Sequence, residues 1–176
     1  MEGEDTMNKI FGYHAKNLKT MEGHEGLIMR GVIMRGRTHI AEFFNDGNGG
    51  MTEFTTSVPN DIFEQLGDDL AKKYKEIGVE ADNSKLGWYS AFDILIDDLV
   101  MLDSVRGEYR GIKKKNKWKD IYISFYSHKD KRLGFMLGGI YTSQPTRPKN
   151  EYKDEESFFL GTFDATKGID IVGVAE

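Results

Sequence analysis

The chain has no cysteine among its 176 residues. Disulfides, thiolate nucleophiles and cysteine-ligated zinc are excluded, and a reducing, cytosolic setting is the expected one. Long hydrophobic runs are also missing: no segment approaches the roughly 18 apolar residues that read as a membrane helix. The opening residues, Met1-Glu2-Gly3-Glu4-Asp5-Thr6-Met7, are acidic and polar. A secretory signal would need a basic start followed by an apolar stretch.

Sequence motifs for chemistry are equally scarce. The four histidines are His14, His24, His39 and His128; no two stand at metal-ligand spacing, and HExxH is absent. There is no GxSxG nucleophile elbow. Neither GxGxxG nor GxxxxGK[ST] occurs, so no phosphate-loop cofactor is expected and none is assigned. Glu151-Tyr152-Lys153 matches the Glu-x-Lys half of a metal-dependent nuclease motif, but it follows two prolines in a polar stretch rather than lying on a core strand.

What is present is a foldable chain. Hydrophobic residues make up 39% and aromatic residues 12%, enough for a core and too much for a disordered segment. The length fits one domain. The expected organisation is a flexible extension over residues 1–8, a single domain over residues 9–165 and a loosely held tail over residues 166–176.

Residues 10–44 read mostly as strand. Leu27, Met29 and Ile33 alternate with Ile28, Val32 and Met34, and residues 38–44 return after the turn Arg35-Gly36-Arg37. Asn45-Asp46-Gly47-Asn48-Gly49-Gly50 is the strongest turn signal, since tight turns need positive φ. A third strand is expected at residues 51–56. Ser57-Val58-Pro59-Asn60 supplies helix-start chemistry. Ile62, Phe63, Leu66, Leu70, Tyr74 and Ile77 then recur at helical spacing. A second helix is expected over residues 88–105, with Phe92, Leu95, Ile96, Leu99, Val100 and Leu102 as its apolar face. Ile121, Ile123 and Phe125 alternate with Tyr122, Ser124 and Tyr126 as a half-buried strand. Residues 133–141 form its return, and residues 157–163 are a candidate last strand. The order is β-β-β-α-α-β-β with that possible addition. Grouped strands and grouped helices define an α+β fold with antiparallel sheet.

The formal net charge is −5, the wrong sign for a generic nucleic-acid binder. The average conceals an asymmetry. Residues 106–132 hold ten Lys/Arg and three Asp/Glu, a local net of +7, so the remainder sums to −12. Within this stretch Arg106, Arg110, Lys113, Lys114, Lys115, Lys117 and Lys119 are interleaved with Tyr109 and Trp118. Lysine and arginine neutralise phosphates, and exposed aromatics stack on bases. The expected partner-binding set is Arg106, Arg110, Lys113, Lys114, Lys115, Lys117, Trp118 and Lys119. A solvated loop that merely carries charge is the competing reading.

Two acidic features stand beside it. Asp93 and Asp97 stand four apart on the second helix, and clustered carboxylates can hold Mg²⁺. They also fall beside the apolar stripe, where a soluble helix is polar. Asp46-Gly47-Asn48-Gly49-Gly50 resembles the start of a calcium loop, but Met51 and Ser57 occupy the positions that need Gly and Glu. Backbone N–H groups of this segment could cradle an anion; a hairpin turn is the simpler reading.

One resemblance extends over roughly the first third of the chain. Tyr13-His14-Ala15-Lys16-Asn17-Leu18-Lys19-Thr20, then Glu25-Gly26-Leu27, then Ile40-Ala41-Glu42-Phe43-Phe44 running into the glycine-rich turn resembles a pattern of small phage and prophage proteins. Some small proteins of that genomic setting inhibit host defence, anti-CRISPR proteins among them. The resemblance implies a phage accessory protein inside the host cell and brings no catalytic residues with it.

Three functions follow as expectations. The first is a non-enzymatic inhibitor that binds a host nuclease complex, either its protein or its nucleic acid, through the basic segment. The second is a direct nucleic-acid-binding module using the same segment. The third is a small metal-dependent hydrolase using Asp93 and Asp97. No membrane partner is expected. Edge strands at residues 51–56 and near Phe158 could pair between copies as a homodimer.

Overall fold

A computed structural model describes residues 7–77, 79, 87–116, 122–127, 140–141, 158–164 and 167–172. The architecture is α+β. Strands β1 (Lys9–Ile10), β2 (Tyr13–Glu22), β3 (Leu27–Arg35), β4 (Thr38–Asp46) and β5 (Glu53–Thr56) come first, followed by helices α1 (Asn60–Glu76) and α2 (Gly87–Asn116). Four more strands close the chain: β6 (Tyr122–Ser127), β7 (Ile140–Tyr141), β8 (Phe158–Asp164) and β9 (Asp170–Ile171). The main sheet has the order β5-β4-β3-β2-β1-β9, and a three-stranded sheet has the order β7-β6-β8.

The main sheet is a meander, and its register decides which residues face the helices. Ala15 pairs with Ile33 and Ile33 with Ala41, which pairs in turn with Thr56. Side chains directly opposite one another share a face, so this row and the Gly31–Phe43–Phe54 row point the same way. Ile33, Ala41 and Phe43 are buried there. Phe54 meets Phe63 of α1 and Phe92 of α2, and the last two rings stack with centroids 4.6 Å apart. Both helices thus lie on one face of the sheet, and aromatic rings fill the layer between.

Each helix follows its sequence periodicity, except that Ile62, expected in the apolar stripe of α1, is exposed. Phe63, Gly67, Leu70 and Tyr74 form the buried stripe of α1. Phe92, Leu95, Ile96, Leu99 and Leu102 are buried on α2, as the spacing predicts.

The expected strand character of residues 10–44 is met in the ten-residue strand over residues 13–22, whose alternation is interrupted by a bulge at Asn17, with φ +56°. Three sequence expectations need correction. The main sheet is mixed rather than purely antiparallel, because β1 pairs with β9 in parallel. The region from residue 166 is not simply a tail: Ile169 and Ile171 are fully buried, and Lys9 and Phe11 donate backbone hydrogen bonds to their carbonyls. Two strand residues carry too little pattern to be read from sequence. Finally, α2 does not stop at Val105 but continues to Asn116. Gly107 and Gly111 fall inside the helix; Glu, Arg and Lys are good helix formers and sustain it through the two glycines. Of the expected return strand over residues 133–141, only Ile140 and Tyr141 lie inside the described residues.

Candidate functional site

The basic segment is in part a helix face. At 30 residues, α2 is about 45 Å long. Positions 92, 96, 99, 103, 106, 110 and 113 advance by alternating steps of four and three, and so trace one stripe along it. The first half of that stripe is Phe92, Ile96 and Leu99, all in the core. The second half is Asp103, Arg106, Arg110 and Lys113. The stripe therefore passes along one helix from the core residues through Asp103 to the cations that begin at Arg106. Arg106 is half-buried and Arg110 exposed.

The predicted binding residues separate on this geometry. Arg106, Arg110, Lys113 and Lys114 occupy neighbouring positions around the helix. Lys115 lies about 200° round from Lys113, on the far side. Lys117, Trp118 and Lys119 lie outside the described residues. Tyr109 is 2% exposed and belongs to the core, so it is not a surface for base stacking. The step-of-three-and-four spacing of Arg106, Arg110 and Lys113 is present in the sequence, but hydrophobic periodicity ends near Val105 and does not extend to it.

A second feature was not assembled from the sequence. A cleft of about 800 Å³ opens between α2 and two turns of the main sheet, and Glu25, Asp93, Asp97 and Asp98 line it. Its lip is the contact between the β2–β3 turn and the glycine-rich β4–β5 turn. Glu25 N–H donates to the Gly47 carbonyl and Gly23 N–H to the Gly26 carbonyl. The turns close because Gly23 and Gly47 lack side chains: a Cβ on Gly23 would stand 3.0 Å from the Gly47 Cα.

Two N–H groups of the glycine-rich turn are already occupied within the turn. Gly47 N–H donates to Asn45 Oδ1 and Asn48 N–H to Asp46 Oδ1, so these donors are engaged by neighbouring side chains. Asn45 Nδ2 also donates to Thr52 Oγ1. Thr52 in turn hydrogen-bonds Asp93 through its hydroxyl and its backbone N–H. This relay ties the turn to α2.

The carboxylates differ in environment. Burial raises the pKa of Asp93, and the Thr52 hydrogen bonds offset that in part. Its Oδ1 is buried and accepts no hydrogen bond among the described residues. Asp98 is buried and accepts a 2.8 Å hydrogen bond from the Tyr74 hydroxyl. Burial pushes its pKa well above the ordinary 3.8; the Tyr74 hydrogen bond opposes the shift and the Asp97 charge adds to it. Asp97 is exposed. Among the described residues no three His, Cys, Asp or Glu side chains converge as a metal site would require. The cleft is lined by four carboxyl groups, of which burial disfavours the charged form at Asp93 and Asp98.

His14 is buried on β2 and His39 exposed on β4, two strands away. Among the described residues no helix is long and apolar enough to cross a membrane. The chain matches no protein-family model, no curated protein and no solved structure.

Proposed function

We propose that the chain is a non-enzymatic accessory protein of a phage or mobile element that binds a host defence nuclease complex and inhibits it by occlusion, in the manner of an anti-CRISPR protein. The observation that carries this reading is the stripe on α2 that changes from core to cation at Arg106. A helix fixed at one end by the core presents charge with little conformational freedom left to lose, which favours specific docking. The rest of the chain, at −12, has the sign that meets basic, nucleic-acid-binding surfaces, and such complementarity governs encounter rate and selectivity. The resemblance of the first third to phage proteins supports the setting.

The test is a pull-down of the tagged chain from host lysate, with and without nuclease treatment. Recovery of a defence nuclease that survives the treatment is the expected result. Recovery of nucleic acid alone favours the second reading, a nucleic-acid-binding module. That reading rests on the same cationic stripe and requires binding to bare DNA or RNA that weakens steeply with salt. Recovery of neither removes both.

A further inference from the structure

The face of the main sheet turned away from the helices is divided by charge. Across the four strands β2-β3-β4-β5, one row reads Lys19, Arg30, Phe44, Glu53, and the adjacent row reads Lys16, Val32, Glu42, Thr55. A third row adds Met21, Ile28 and Asp46. All three cations stand on β2 and β3; all three carboxylates stand on β4 and β5. Lys16, Lys19, Arg30, Glu42, Asp46 and Glu53 are all exposed. Between the charges lie Val32 and Ile28, half-buried, and Phe44 and Met21, 45% and 64% exposed. A shallow depression of about 520 Å³ runs over Gly31 at the centre.

This partition is unfavourable within one chain. Opposite charges facing each other across strands stabilise a sheet, and like charges directly opposite destabilise it. Lys19 and Arg30 are directly opposite. Among the described residues no ion pair joins the cationic half to the anionic half. The pattern becomes favourable under a two-fold axis parallel to the strands and passing between β3 and β4. That operation lays β2 and β3 of one copy over β4 and β5 of the other, the cationic half over the anionic half: Lys19 comes opposite Glu53, and Arg30 and Val32 of β3 come opposite Phe44 and Glu42 of β4 near the axis. Two sheets packed face to face with nearly aligned strands are a common arrangement, and a two-fold interface requires just this self-complementarity.

The geometry points to a homodimer formed through this face: a second copy of the chain seats its cationic half on the anionic half of the first. It is not formed by pairing of edge strands.

Two variants test it in the full chain, Lys19→Glu/Arg30→Glu and Glu42→Lys/Glu53→Lys. Sedimentation velocity over a range of concentrations gives the dimer affinity, and circular dichroism checks the fold. Wild type is expected to dimerise, each variant alone to dimerise at least about tenfold more weakly, since like charges then face each other, and an equimolar mixture of the two to regain a heterodimer. A wild type that stays monomeric at every concentration overturns the proposal. So do variants that dimerise as wild type does, which would place the contact elsewhere, for example on the β5 edge. Should either variant lose its fold, Val32→Cys with a short bis-maleimide decides in a chain that has no other cysteine. A crosslinked dimer supports the face, and its absence at concentrations where the uncrosslinked protein is dimeric refutes it.

Discussion

Tyr74 of α1 donates its hydroxyl hydrogen bond to Asp98 of α2 at 2.8 Å, with both side chains buried. The pair joins the two helices through a polar contact inside an otherwise apolar layer. A carboxylate so placed is costly to ionise, and the tyrosine offsets part of that cost. The tyrosine is affected in return: burial first, and then the Asp98 charge, raise its pKa well above 10.0.

Removing the hydroxyl exposes the cost. Tyr74→Phe leaves Asp98 without this donor and is expected to destabilise the fold by about 1–3 kcal/mol at neutral pH. Urea unfolding measures it. A variant as stable as wild type would show that the bond is not formed in solution.

The same pair sets a pH dependence. Asp98 and Asp93 both have pKa values raised above 3.8 in the folded chain, so the folded state holds their protons more tightly than the unfolded state. Their contribution to stability is complete below pH 3.8 and is lost as pH rises through the folded values. Asp98→Asn keeps an acceptor for Tyr74 and removes the titration. The wild-type stability minus that of Asp98→Asn is therefore expected to fall as pH rises from 3.8 toward neutral. A difference that is flat with pH, or that rises, contradicts the assignment.

The lip of the cleft depends on glycine. Gly47 has φ +71°, and a Cβ there would lie 2.9 Å from Ile28 Cγ1 and 3.0 Å from the Gly26 carbonyl oxygen. Gly36 has φ +59° with open space around it. Gly36→Ala should cost about 1 kcal/mol from backbone strain alone, and Gly47→Ala more, about 2–3 kcal/mol. Thermal melting of the two variants gives the order, and equal losses would mean that the two turns do not touch.

Ile171 tests whether the last strand belongs to the fold. It is fully buried and pairs with Ile10. Ile171→Ala is expected to cost about 2–5 kcal/mol, as for a core isoleucine. A loss within about 0.5 kcal/mol, typical of surface positions, would return these residues to a tail.

The α+β class was legible because strands and helices are grouped, and long periodic segments declare themselves. Phe63, Leu70 and Tyr74 keep helical spacing, and so do Phe92, Ile96 and Leu99. Two kinds of feature were not legible. Short strands such as Lys9–Ile10 and Asp170–Ile171 are fixed by partners some 160 residues apart, which no local pattern carries. The end of α2 was misplaced because its face changes character: once Arg106 replaces apolar residues, hydrophobic periodicity stops while helical spacing continues in charge. The divided outer face and the acidic cleft were hidden for a related reason. The charges of the outer face lie on separate strands, and only the register brings them together; the cleft sets Glu25 of a turn against Asp93, Asp97 and Asp98 of α2, a meeting that no local pattern carries.

In the proposed function the cationic stripe of α2 docks the chain on its partner. The direct measurement is the affinity of the purified chain for the complex recovered by pull-down, for wild type, for Arg110→Glu/Lys113→Glu/Lys114→Glu and for Lys115→Glu. The stripe account predicts at least about a tenfold loss in the triple variant with an unchanged fold, and a much smaller change for Lys115→Glu, which lies round the helix from the stripe. Undiminished affinity in the triple variant, or an equal loss from Lys115→Glu, would contradict it.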